Sequence, residues 1–542
     1  MRVDRFTGPA RSPSERPVGA DVETRPEPAD WQGGVDLRVP GLTVLWHADA
    51  ARAGERAPLP ELASGREVAL SRLSPAFSAP GAGGGRAPRP LDDPYLSRSP
   101  VRLAPGGEGV RLLTGEGKIR VAADGEVVAA ERLFARAELE RGVVLLLNDR
   151  VVLLLHLLPP LQPKGVPAFG LVGESAPMVR LRREVQRVAD LDVAVLLRGE
   201  TGTGKELVAE ALHAASPRRD RPFLAVNMGA VPPTLAASEL FGAARGAYTG
   251  SVQRQTGYFT RAHTGTLFLD EIGEAPAEVQ VLLLRVLETR EIQMVGAELP
   301  QKVDVRLIAA TDADLEAAIG TGRFRAPLLH RLSGYEITVP TLRERREDFG
   351  RLLVHFLRQE LEAVGEARRL DASNDEAPWL PAALVARLAL YEWPGNVRQL
   401  RNVARQIAIG ARGDSRVQLG PTLERLLADS APATAGEKPA AAAAGSPRKA
   451  YRKPEEVTEE EILAALLENR WRLKPTADRL GVSRTTLYAL IDRCSSIRKA
   501  GDLGREEIAE CLARCGGDLD AAVEELCVSK YGLQLRIREL GL

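Results

Sequence analysis

A glycine-rich run in the middle of the chain has the residue types needed to bind phosphate. It follows an apolar, strand-like segment, Val193 to Leu197, and precedes a predicted helix, Leu207 to Ala215. Glycines let backbone N–H groups surround phosphate oxygens, a lysine reaches the β and γ oxygens, and the helix dipole adds positive potential. A glycine-rich surface loop without a ligand is the alternative. The predicted nucleotide-binding residues are Gly199, Glu200, Thr201, Gly202, Thr203, Gly204, Lys205 and Glu206.

Two acidic residues end a second apolar run farther along the chain. Thr266 to Leu269 predicts a buried strand, and Asp270 and Glu271 follow it. In a nucleotide hydrolase the first carboxylate holds Mg²⁺ through water, and the second orients and deprotonates the attacking water. A buried strand that ends in acid for structural reasons is the alternative. Because the phosphate-binding loop lies upstream, we predict ATP and Mg²⁺ as cofactors, although Glu206 replaces the Ser or Thr that usually ligates Mg²⁺.

Composition limits the kind of protein this can be. The 542 residues suffice for three or four domains, and the formal charge is zero, so nucleic-acid contact would need a local basic patch. The four cysteines lack metal-ligand spacing, which favours a reduced, cytoplasmic protein. The N-terminus lacks the apolar core of a signal peptide. Polar residues interrupt Val143 to Leu161, which predicts a β-hairpin and no membrane span.

Composition and periodicity also divide the chain into segments. Short β-branched runs between turn signals predict an all-β sandwich, whereas alternating strand-like and helical patterns predict an α/β domain. The last two helical segments match each other at a shift of 46 residues. The predicted segments are a disordered start (1–34), the sandwich (35–162), the α/β domain (169–410, with a small helical lid from about 343), a linker (411–455) and two all-α modules (456–495 and 502–542).

Several motifs of the α/β domain resemble the AAA+ domain of sigma-54-dependent transcriptional activators, the bacterial enhancer-binding proteins. Gly199 to Glu206 is similar to the Walker A sequence of this family, in which Glu after Lys is usual. Val172 to Ser175 resembles the opening motif, and Glu392 to Asn402 the sensor II signature. The resemblance implies a P-loop ATPase that works as an oligomer, from a dimer to a hexameric ring.

The resemblance extends to a loop that contacts sigma-54 and to arginines that act between subunits. Gly246, Ala247, Tyr248, Thr249, Gly250 and Ser251 resemble the GAFTGA loop. Tyr248 and Ser251 stand where the family has Phe and Ala, and a glycine-rich turn without a partner is the alternative. Arg325 and Arg331 resemble arginine fingers, which would reach the γ-phosphate of a neighbouring subunit. Ordinary solvated arginines are the alternative for these two.

The resemblance also implies roles for residues around the nucleotide. Arg398 would couple the nucleotide to the lid, and Thr311 would sense the γ-phosphate. Asp312 stands where the family usually has Asn, which makes that relay less secure. Asn227 would hold the catalytic Glu271 away from water until the ring is engaged.

The segment 456–495 resembles a Fis-type helix-turn-helix module, in which Gly481 makes the turn. A plain helical dimerisation module is the alternative. In the second segment Cys527 replaces the turn glycine, so a degenerate copy used for packing or dimerisation is favoured over a second DNA reader. The residues predicted to read double-stranded DNA are Ser483, Arg484, Thr485, Thr486 and Tyr488, with Lys474, Arg479 and Arg493 on phosphates.

The N-terminal sandwich resembles a forkhead-associated (FHA) domain, which binds phosphothreonine. Arg72, Ser97 and Arg98 would grip the phosphate by charge-assisted hydrogen bonds. Pro100 occupies the position of a family histidine, so a protein-docking surface is the alternative. The resemblance implies a phosphothreonine protein or a kinase as partner.

Taken together, the motifs predict a cytoplasmic, DNA-bound ATPase that remodels the closed complex of sigma-54 RNA polymerase under control of the sandwich. One alternative is a DNA-binding regulator that uses nucleotide only to set its oligomeric state and has lost the sigma-54 contact. An AAA+ chaperone or protease motor is a second alternative, which the helix-turn-helix argues against. No membrane partner is predicted.

Overall fold

A computed structural model describes most of the chain between residues 38 and 428 and parts of the C-terminal region. The chain divides into two compact units, Met1–Pro432 and Ala433–Leu542. The predicted disordered segment, 1–34, lies outside the described residues. These are 38–79, 87–115, 118–159, 166–245, 255–371, 378–418, 420–428, 457–469, 473–482, 487, 490, 503–515, 519–526, 533 and 536–537.

The first part of unit one is a β-sandwich of two antiparallel sheets. Their strand orders are β2-β1-β10-β9-β6-β7 and β3-β4-β5-β8. Apolar side chains from both sheets, such as Leu42, Leu112 and Leu153, fill the space between them. The strands are β1 Val39–Trp46, β2 Arg56–Pro58, β3 Val68–Leu70, β4 Val101–Gly106, β5 Gly109–Leu113, β6 Val121–Ala123, β7 Glu126–Val127, β8 Glu131–Phe134, β9 Val143–Leu147 and β10 Val151–Leu158, with helices α1 Pro60–Ala63 and α2 Arg136–Arg141.

The second part of unit one is a five-stranded parallel sheet with helices on both faces. Its strand order is β12-β13-β16-β11-β17, so the carboxyl ends of the central strands lie at one edge. In open α/β sheets this edge is where ligands bind. The strands are β11 Val195–Arg198, β12 Phe223–Asn227, β13 Thr266–Asp270, β16 Arg306–Thr311 and β17 Tyr335–Thr338, with a short hairpin of β14 Glu291–Ile292 and β15 Gln301–Lys302. The helices are α3 Ala176–Val188, α4 Lys205–Ala214, α5 Pro233–Phe241, α6 Tyr258–Arg261, α7 Ala277–Thr289, α8 Leu315–Gly320 and α9 Ala326–Leu332.

A helical lid follows the sheet. A 3-10 segment, Leu342–Asp348, leads into α10 Phe349–Ala363, α11 Ala382–Leu390, α12 Asn396–Gly410 and α13 Pro421–Ala428. The linker predicted from residue 411 begins later, because Val417, Leu423 and Leu427 pack into the lid core. The sequence of α13 repeats apolar residues at helical spacing, a signal that the Gly- and Asp-containing turn before it obscured.

The described part of unit two contains two pairs of helices. The first pair is α14 Glu459–Glu468 and α15 Leu473–Leu480, and the second is α16 Arg505–Arg514 and α17 Leu519–Leu526. The second pair begins and ends 46 residues after the first, as the internal repeat predicts. Ile462 and Ile508, which match in the repeat, belong to one buried cluster. The two copies therefore share a single core.

Local patterns identified some elements better than others. The hairpin predicted for Val143 to Leu161 is confirmed by β9 and β10, which pair in antiparallel register. The short strands β2, β7 and β8 were not predicted, because two to four residues carry too little periodicity. Among the helices that the structure describes, none combines the length and apolar character needed to cross a bilayer.

Candidate functional site

The phosphate-binding loop connects the carboxyl end of β11 to the first turn of α4. The strand ends at Arg198 and the helix begins at Lys205, within two residues of the predicted limits. Gly202 and Gly204 have φ angles of +78° and +102°, which disfavour any residue with a side chain. A Cβ atom on Gly202 would also lie 2.4 Å from the Gly395 carbonyl oxygen. The loop therefore requires glycine at these positions to keep its shape against the lid.

Lys205 lies at the centre of the loop. It is 9% exposed, and its Nζ donates to the carbonyl oxygens of Gly199 (2.7 Å) and Glu200 (3.3 Å). Burial lowers the pKa of the Lys205 ammonium, and the carboxylates of Asp312 and Asp270 act in the opposite direction. The ammonium is thus surrounded by acceptors that phosphate oxygens could replace.

The two predicted acidic residues lie beside the loop at the end of β13. Burial raises the pKa of Asp270, whose Oδ1 accepts a hydrogen bond from the Glu271 backbone N–H (3.0 Å). Glu271 has φ +54°, a left-handed conformation that turns its side chain out of the strand direction. A Cβ atom on Gly229 would lie 2.3 Å from Glu271 Oε2, so any larger residue there would displace the carboxylate from this position. Sequence reasoning missed Gly229.

Asn227 is near Glu271, but the hydrogen bond of its side chain goes to the Ala230 backbone and not to the Glu271 carboxylate. It ends β12 and is paired in register with Asp270 of β13. Its Oδ1 accepts from the Ala230 backbone N–H (3.1 Å), which caps a short 3-10 turn. A Cβ atom on Gly229 would lie 3.3 Å from this same oxygen, so Asn227 and Glu271 both come close to Gly229.

Thr311 and Asp312 lie at the carboxyl end of β16, next to the loop. Thr311 is buried, and its Oγ1 accepts from the Ala313 backbone N–H (3.0 Å). The Thr311 carbonyl oxygen accepts from Gly199 N–H (3.2 Å), which ties the strand to the loop. Asp312 accepts a short hydrogen bond from the Thr201 hydroxyl. Asp312, at the position where the resemblance leads one to expect Asn, therefore hydrogen-bonds to the phosphate-binding loop.

The lid closes the other side of the same site. The Arg398 backbone N–H donates to the Gly202 carbonyl oxygen (3.2 Å), and its side chain borders a cavity of about 270 Å³. Lys205, Asp270 and Glu271 line the opposite wall. The complete lining is Thr201, Gly202, Gly204, Lys205, Glu206, Leu207, Asp270, Glu271, Asp312, Phe356, Val397, Arg398 and Arg401.

Asn396, at the start of α12, also connects the loop to the lid. It is buried, and its Nδ2 donates to Glu200 Oε2 (3.0 Å) and to the Thr201 carbonyl oxygen (3.1 Å). Arg343 pairs with the same glutamate (Nη1 to Oε2, 2.9 Å). Hydrogen bonds from Arg343 and Asn396 lower the pKa of Glu200 to about 2. Asn396 lies within the motif recognised in the sequence, which gave it no role.

Arg325 and Arg331 do not line the cavity of their own chain in the part that the structure describes. Both side chains are exposed. Arg325 precedes α9, where its backbone N–H donates to Gln280 Oε1 (3.0 Å), and Arg331 Nε lies 3.5 Å from Glu288 Oε1. Their guanidinium groups are thus placed on the surface of the α/β domain.

The loop predicted to contact sigma-54 lies outside the described residues, since none between 246 and 254 is described. Its stem is described. Ala243 and Gln255 pair through two backbone hydrogen bonds of 3.0 Å, and Gln255 Nε2 donates to Glu239 Oε1 (3.0 Å). The Ala244 N–H donates to the Val295 carbonyl oxygen (2.9 Å). The residues on either side of the loop are therefore joined by a single β-bridge.

The residues predicted to read DNA, Ser483 to Thr486 and Tyr488, also lie outside the described residues. Their neighbours in the sequence are described. Val482 and Leu487, on either side of Ser483 to Thr486 in the sequence, are buried in the shared core of unit two. Arg479 is exposed, and its Nη2 lies 2.7 Å from Glu468 Oε2.

The predicted phosphothreonine residues of the sandwich lie on two adjoining turns. Arg72 N–H donates to the Ser97 carbonyl oxygen (3.2 Å), and the Arg72 guanidinium lies 3.4 Å from Asp92 Oδ1. Arg98 is exposed. Asn148, in the β9–β10 turn, donates from Nδ2 to the Tyr95 carbonyl oxygen (2.9 Å), which brings this asparagine close to the turn that carries Ser97.

One cluster outside these sites has side chains that bind metals in other proteins. The Cys511, Cys515 and Glu525 side chains meet within 4.8 Å. The Cys515 thiol donates to Glu525 Oε2 (3.2 Å), which raises the pKa of the thiol to about 11. Glu525 Oε1 also accepts from Arg514. The described contacts of this cluster are therefore hydrogen bonds. The sequence prediction that the cysteines lack metal-ligand spacing stays a prediction.

Family descriptions match three stretches of the chain. “Sigma-54 interaction domain” matches residues 171–338, “AAA+ ATPase lid domain” matches 343–434, and “Bacterial regulatory protein, Fis family” matches 453–492. The α/β domain, the lid and the C-terminal module thus correspond to the AAA+ core, the AAA+ lid and a Fis-type helix-turn-helix. The FHA-like identity of the sandwich has no such match among these three.

The chain is similar to known transcriptional regulators. It is 40% identical over 330 residues to the C4-dicarboxylate transport transcriptional regulatory protein DctD of Rhizobium meliloti, covering 61% of this chain and 65% of DctD. It is 38% identical over 372 residues to NtrC of Azospirillum brasilense, covering 69% of each. The solved structure of NtrX from Brucella abortus in complex with ADP is 30% identical, with a TM-score of 0.42 and 69% of each chain covered. The chain spans just under two thirds of DctD and about half of NtrC from Escherichia coli.

Proposed function

This chain belongs to the sigma-54-dependent transcriptional regulators, the family of DctD and NtrC, and we propose that it is an ATP-driven activator of sigma-54 RNA polymerase. It binds double-stranded DNA, assembles into a ring, hydrolyses ATP and remodels the closed promoter complex. One observation carries the ATPase part of this proposal. Lys205, Asp270 and Glu271 from the core and Arg398 from the lid border one cavity.

The chemistry follows from these positions. Backbone N–H groups of the loop bind the phosphates, and Lys205 exchanges its carbonyl acceptors for β and γ oxygens. Glu271 orients a water molecule and accepts its proton as the water oxygen attacks the γ-phosphorus, and the bond to the β–γ bridging oxygen breaks. The products are ADP and phosphate.

Asp270 and Glu206 provide carboxylate oxygens of the kind that Mg²⁺ prefers, so the residues present fit this ion. When bound, Mg²⁺ neutralises the phosphate charge. Asp270 would hold it, most simply through water. Glu206 is exposed in the first turn of α4, where a carboxylate also interacts favourably with the helix dipole.

Assembly into a ring is proposed because Arg325 and Arg331 lie outside the cavity of their own chain. An arginine supplied by a neighbour is worth about 10³–10⁵ in rate, because it neutralises charge that develops in the transition state. Hydrolysis would therefore depend on oligomerisation. A hexamer is the expected ring.

The sigma-54 contact is assigned to Tyr248 and Thr249, in the segment between the paired residues Ala243 and Gln255. The backbone pairing of Ala243 with Gln255 supports this assignment. Because the two residues are joined, a movement that starts near the nucleotide would displace both ends of the segment together. The Fis-type module would bind an upstream DNA site in the cytoplasm through Arg484 and its neighbours.

The sandwich is proposed to be an FHA-like sensor of phosphothreonine. Two antiparallel sheets and the adjoining turns that carry Arg72 and Ser97 support this assignment. A docking surface for an unphosphorylated protein is the alternative, since Arg72 is already paired with Asp92.

Capture of purified sigma-54 tests the proposal. The chain is trapped with ADP and aluminium fluoride, and the wild type is compared with Thr249→Ala and Thr249→Ser. Capture by the wild type, loss with alanine and partial recovery with serine are expected. If a ring that hydrolyses ATP captures no sigma-54, the activator proposal fails and a regulator that uses nucleotide only for assembly becomes the better account.

A further inference from the structure

The β-sandwich and the lid share a hydrophobic core. Leu45 and Trp46 of β1 and Val152 of β10 belong to the same buried cluster as Phe349 and Leu353 of α10. Each of these side chains is at most 2% exposed. A contact buried to this extent resembles the interior of a domain more than a loose interface between domains. The sandwich is therefore docked firmly on the first lid helix.

Gly350 is where the two backbones meet. It lies in the first turn of α10, and a Cβ atom there would be 2.1 Å from the Leu45 carbonyl oxygen and 2.7 Å from Leu45 Cα. Both are backbone atoms of a central strand, which cannot shift without disturbing the sheet. Any side chain at this position must separate β1 from the lid.

Polar contacts also join the sandwich to the turn before α10 and to the α/β core. We name this segment, Leu342–Asp348, the lid hinge. Arg346 donates from Nη1 to the Gly142 carbonyl oxygen of the sandwich (2.9 Å) and from Nη2 to Ala389 of the lid (3.0 Å). Arg56 of the sandwich lies 3.0 Å from Glu347 Oε2 and donates to the carbonyl oxygen of Glu174, which belongs to the core (2.8 Å). The sandwich thus contacts the α/β domain, the lid hinge and the lid.

The opposite side of the lid hinge contacts the phosphate-binding loop. The backbone leaves the helical region at Arg345 (φ −130°, ψ 43°), so successive side chains point in different directions. Arg345 is buried and donates to the Thr203 carbonyl oxygen (3.2 Å), and Arg343 pairs with Glu200. The Leu342 N–H donates to Asn396, the residue that joins loop and lid (2.9 Å). A displacement of the hinge must reach the nucleotide cavity.

We propose that the docked sandwich restrains the lid angle and so slows nucleotide release, with Gly350, Arg56 and Arg346 as positioning residues. The reasoning is mechanical. The lid borders the cavity, product release requires it to move, and the sandwich bridges both ends of the segment about which it would turn. Undocking of the sandwich would release this restraint. The inference rests on the proposed ATPase and adds the route of its control.

The test compares full-length Gly350→Ala with Gly410→Ala. Both change glycine to alanine, the better helix former, in a lid helix, but a Cβ atom on Gly410 meets nothing within 4 Å. We expect Gly350→Ala to exchange amide hydrogens of β1 and the first turn of α10 faster, to release fluorescent mant-ADP at least threefold faster, and to raise kcat for ATP. Gly410→Ala should match the wild type in all three.

Each other outcome counts against the proposal. Faster exchange in β1 with unchanged mant-ADP release would show that docking does not restrain the lid. Unchanged exchange in both Gly350→Ala and the bulkier Gly350→Leu would show that the backbone contact is absent. Release of mant-ADP needs nucleotide binding but no hydrolysis. A wild-type chain that binds ADP without hydrolysing ATP would therefore refute the proposed ATPase and still leave the restraint measurable.

Discussion

The nucleotide cavity and the Arg72–Ser97 surface of the sandwich are both predicted to bind phosphate, but they hold their charges differently. Lys205 is 9% exposed and faces Asp270, Glu271 and Asp312 across a cavity closed by the lid. The Arg72 side chain is 27% exposed, and its partner Asp92 is 65% exposed. Charges act more strongly in a desolvated site than at a solvated surface. Removal of one group should therefore abolish most ATP hydrolysis in the nucleotide cavity. Removal of one group from the Arg72–Ser97 surface should only weaken phosphopeptide binding.

The largest effect is expected at Arg325, which is proposed to reach into the nucleotide cavity of the neighbouring subunit. Arg325→Ala should lower steady-state phosphate release by about 10³-fold or more, because the γ-phosphate of the neighbouring subunit loses its finger. The affinity for nucleotide should stay near that of the wild type. Arg323→Ala, which removes an exposed arginine two residues away, is the matched control.

A mixing experiment decides whether Arg325 acts between subunits. Arg325→Ala and Lys205→Ala chains should each be inactive alone, but mixed rings would contain sites with an intact lysine and an intact neighbouring arginine. Mixing should restore part of the activity. If it restores none while mixed rings form, Arg325 acts within its own chain or not at all.

A slightly smaller loss is expected from Glu271→Gln. Removal of a general base lowers rates by about 10²–10⁴-fold, and the amide cannot accept the proton of the attacking water. Binding of fluorescent ATP should persist, since Lys205 and the loop are untouched. Glu278→Gln, on the exposed first turn of α7, is the control. Hydrolysis at the wild-type rate in Glu271→Gln would remove this residue from the mechanism.

The sandwich surface should respond more mildly. Arg72→Ala should weaken binding of a phosphothreonine peptide mixture by about tenfold, the value of one charge-assisted hydrogen bond in a partly solvated site. Arg102→Ala, on the exposed side of β4, should change nothing. Equal binding of phosphorylated and unphosphorylated peptides by the wild type would favour the docking surface over the phosphothreonine site.

A separate effect, on stability rather than on rate or affinity, concerns a buried, neutral group of the sandwich. His47 Nδ1 accepts from the Asp49 N–H and its Nε2 bonds to the Leu91 carbonyl oxygen, each at 3.0 Å. Burial, followed by the charge of Arg52, lowers the pKa of His47 to about 4. The unfolded chain takes up a proton below pH 6.5 and the folded chain does not until about pH 4. The stability contributed by neutral His47 is therefore complete above pH 6.5 and is lost as the pH falls.

This contribution should amount to about 1.4 kcal/mol per pH unit between pH 6.5 and 4. Urea unfolding at pH 7 and pH 5 measures it. His47→Gln should lose less stability over this interval than the wild type, whereas the exposed substitution His330→Gln should follow the wild type. Parallel pH profiles for His47→Gln and the wild type would contradict this assignment.

The same contrast explains what the sequence could predict. The loop from Gly199 to Lys205 is contiguous, and its glycines and lysine prescribe a backbone shape, so motif and structure agree. Gly229 beside Glu271 escaped notice because its role depends on a side chain 42 residues away in the sequence. The contact between Arg56 and Glu347 joins segments almost 300 residues apart. No local pattern contains such pairings, although each partner is an ordinary charged residue.

The lid shows the same limit on a smaller scale. The motif around Asn396 was recognised, but its buried hydrogen bonds to the loop were not, because they need the third dimension. The helix α13 was assigned to a linker because the turn before it contains Gly and Asp. Thr249 and Arg484 lie outside the described residues, so the roles predicted for them remain predictions.

The account depends most on the coupling of ATP hydrolysis to promoter opening. The most direct measurement is open-complex formation by sigma-54 RNA polymerase on a sigma-54 promoter, with the full chain and either ATP or a non-hydrolysable analogue. The wild type should open the promoter only with ATP, and Glu271→Gln should not open it under either condition. Steady ATP hydrolysis by the wild type without any open complex would contradict the central claim.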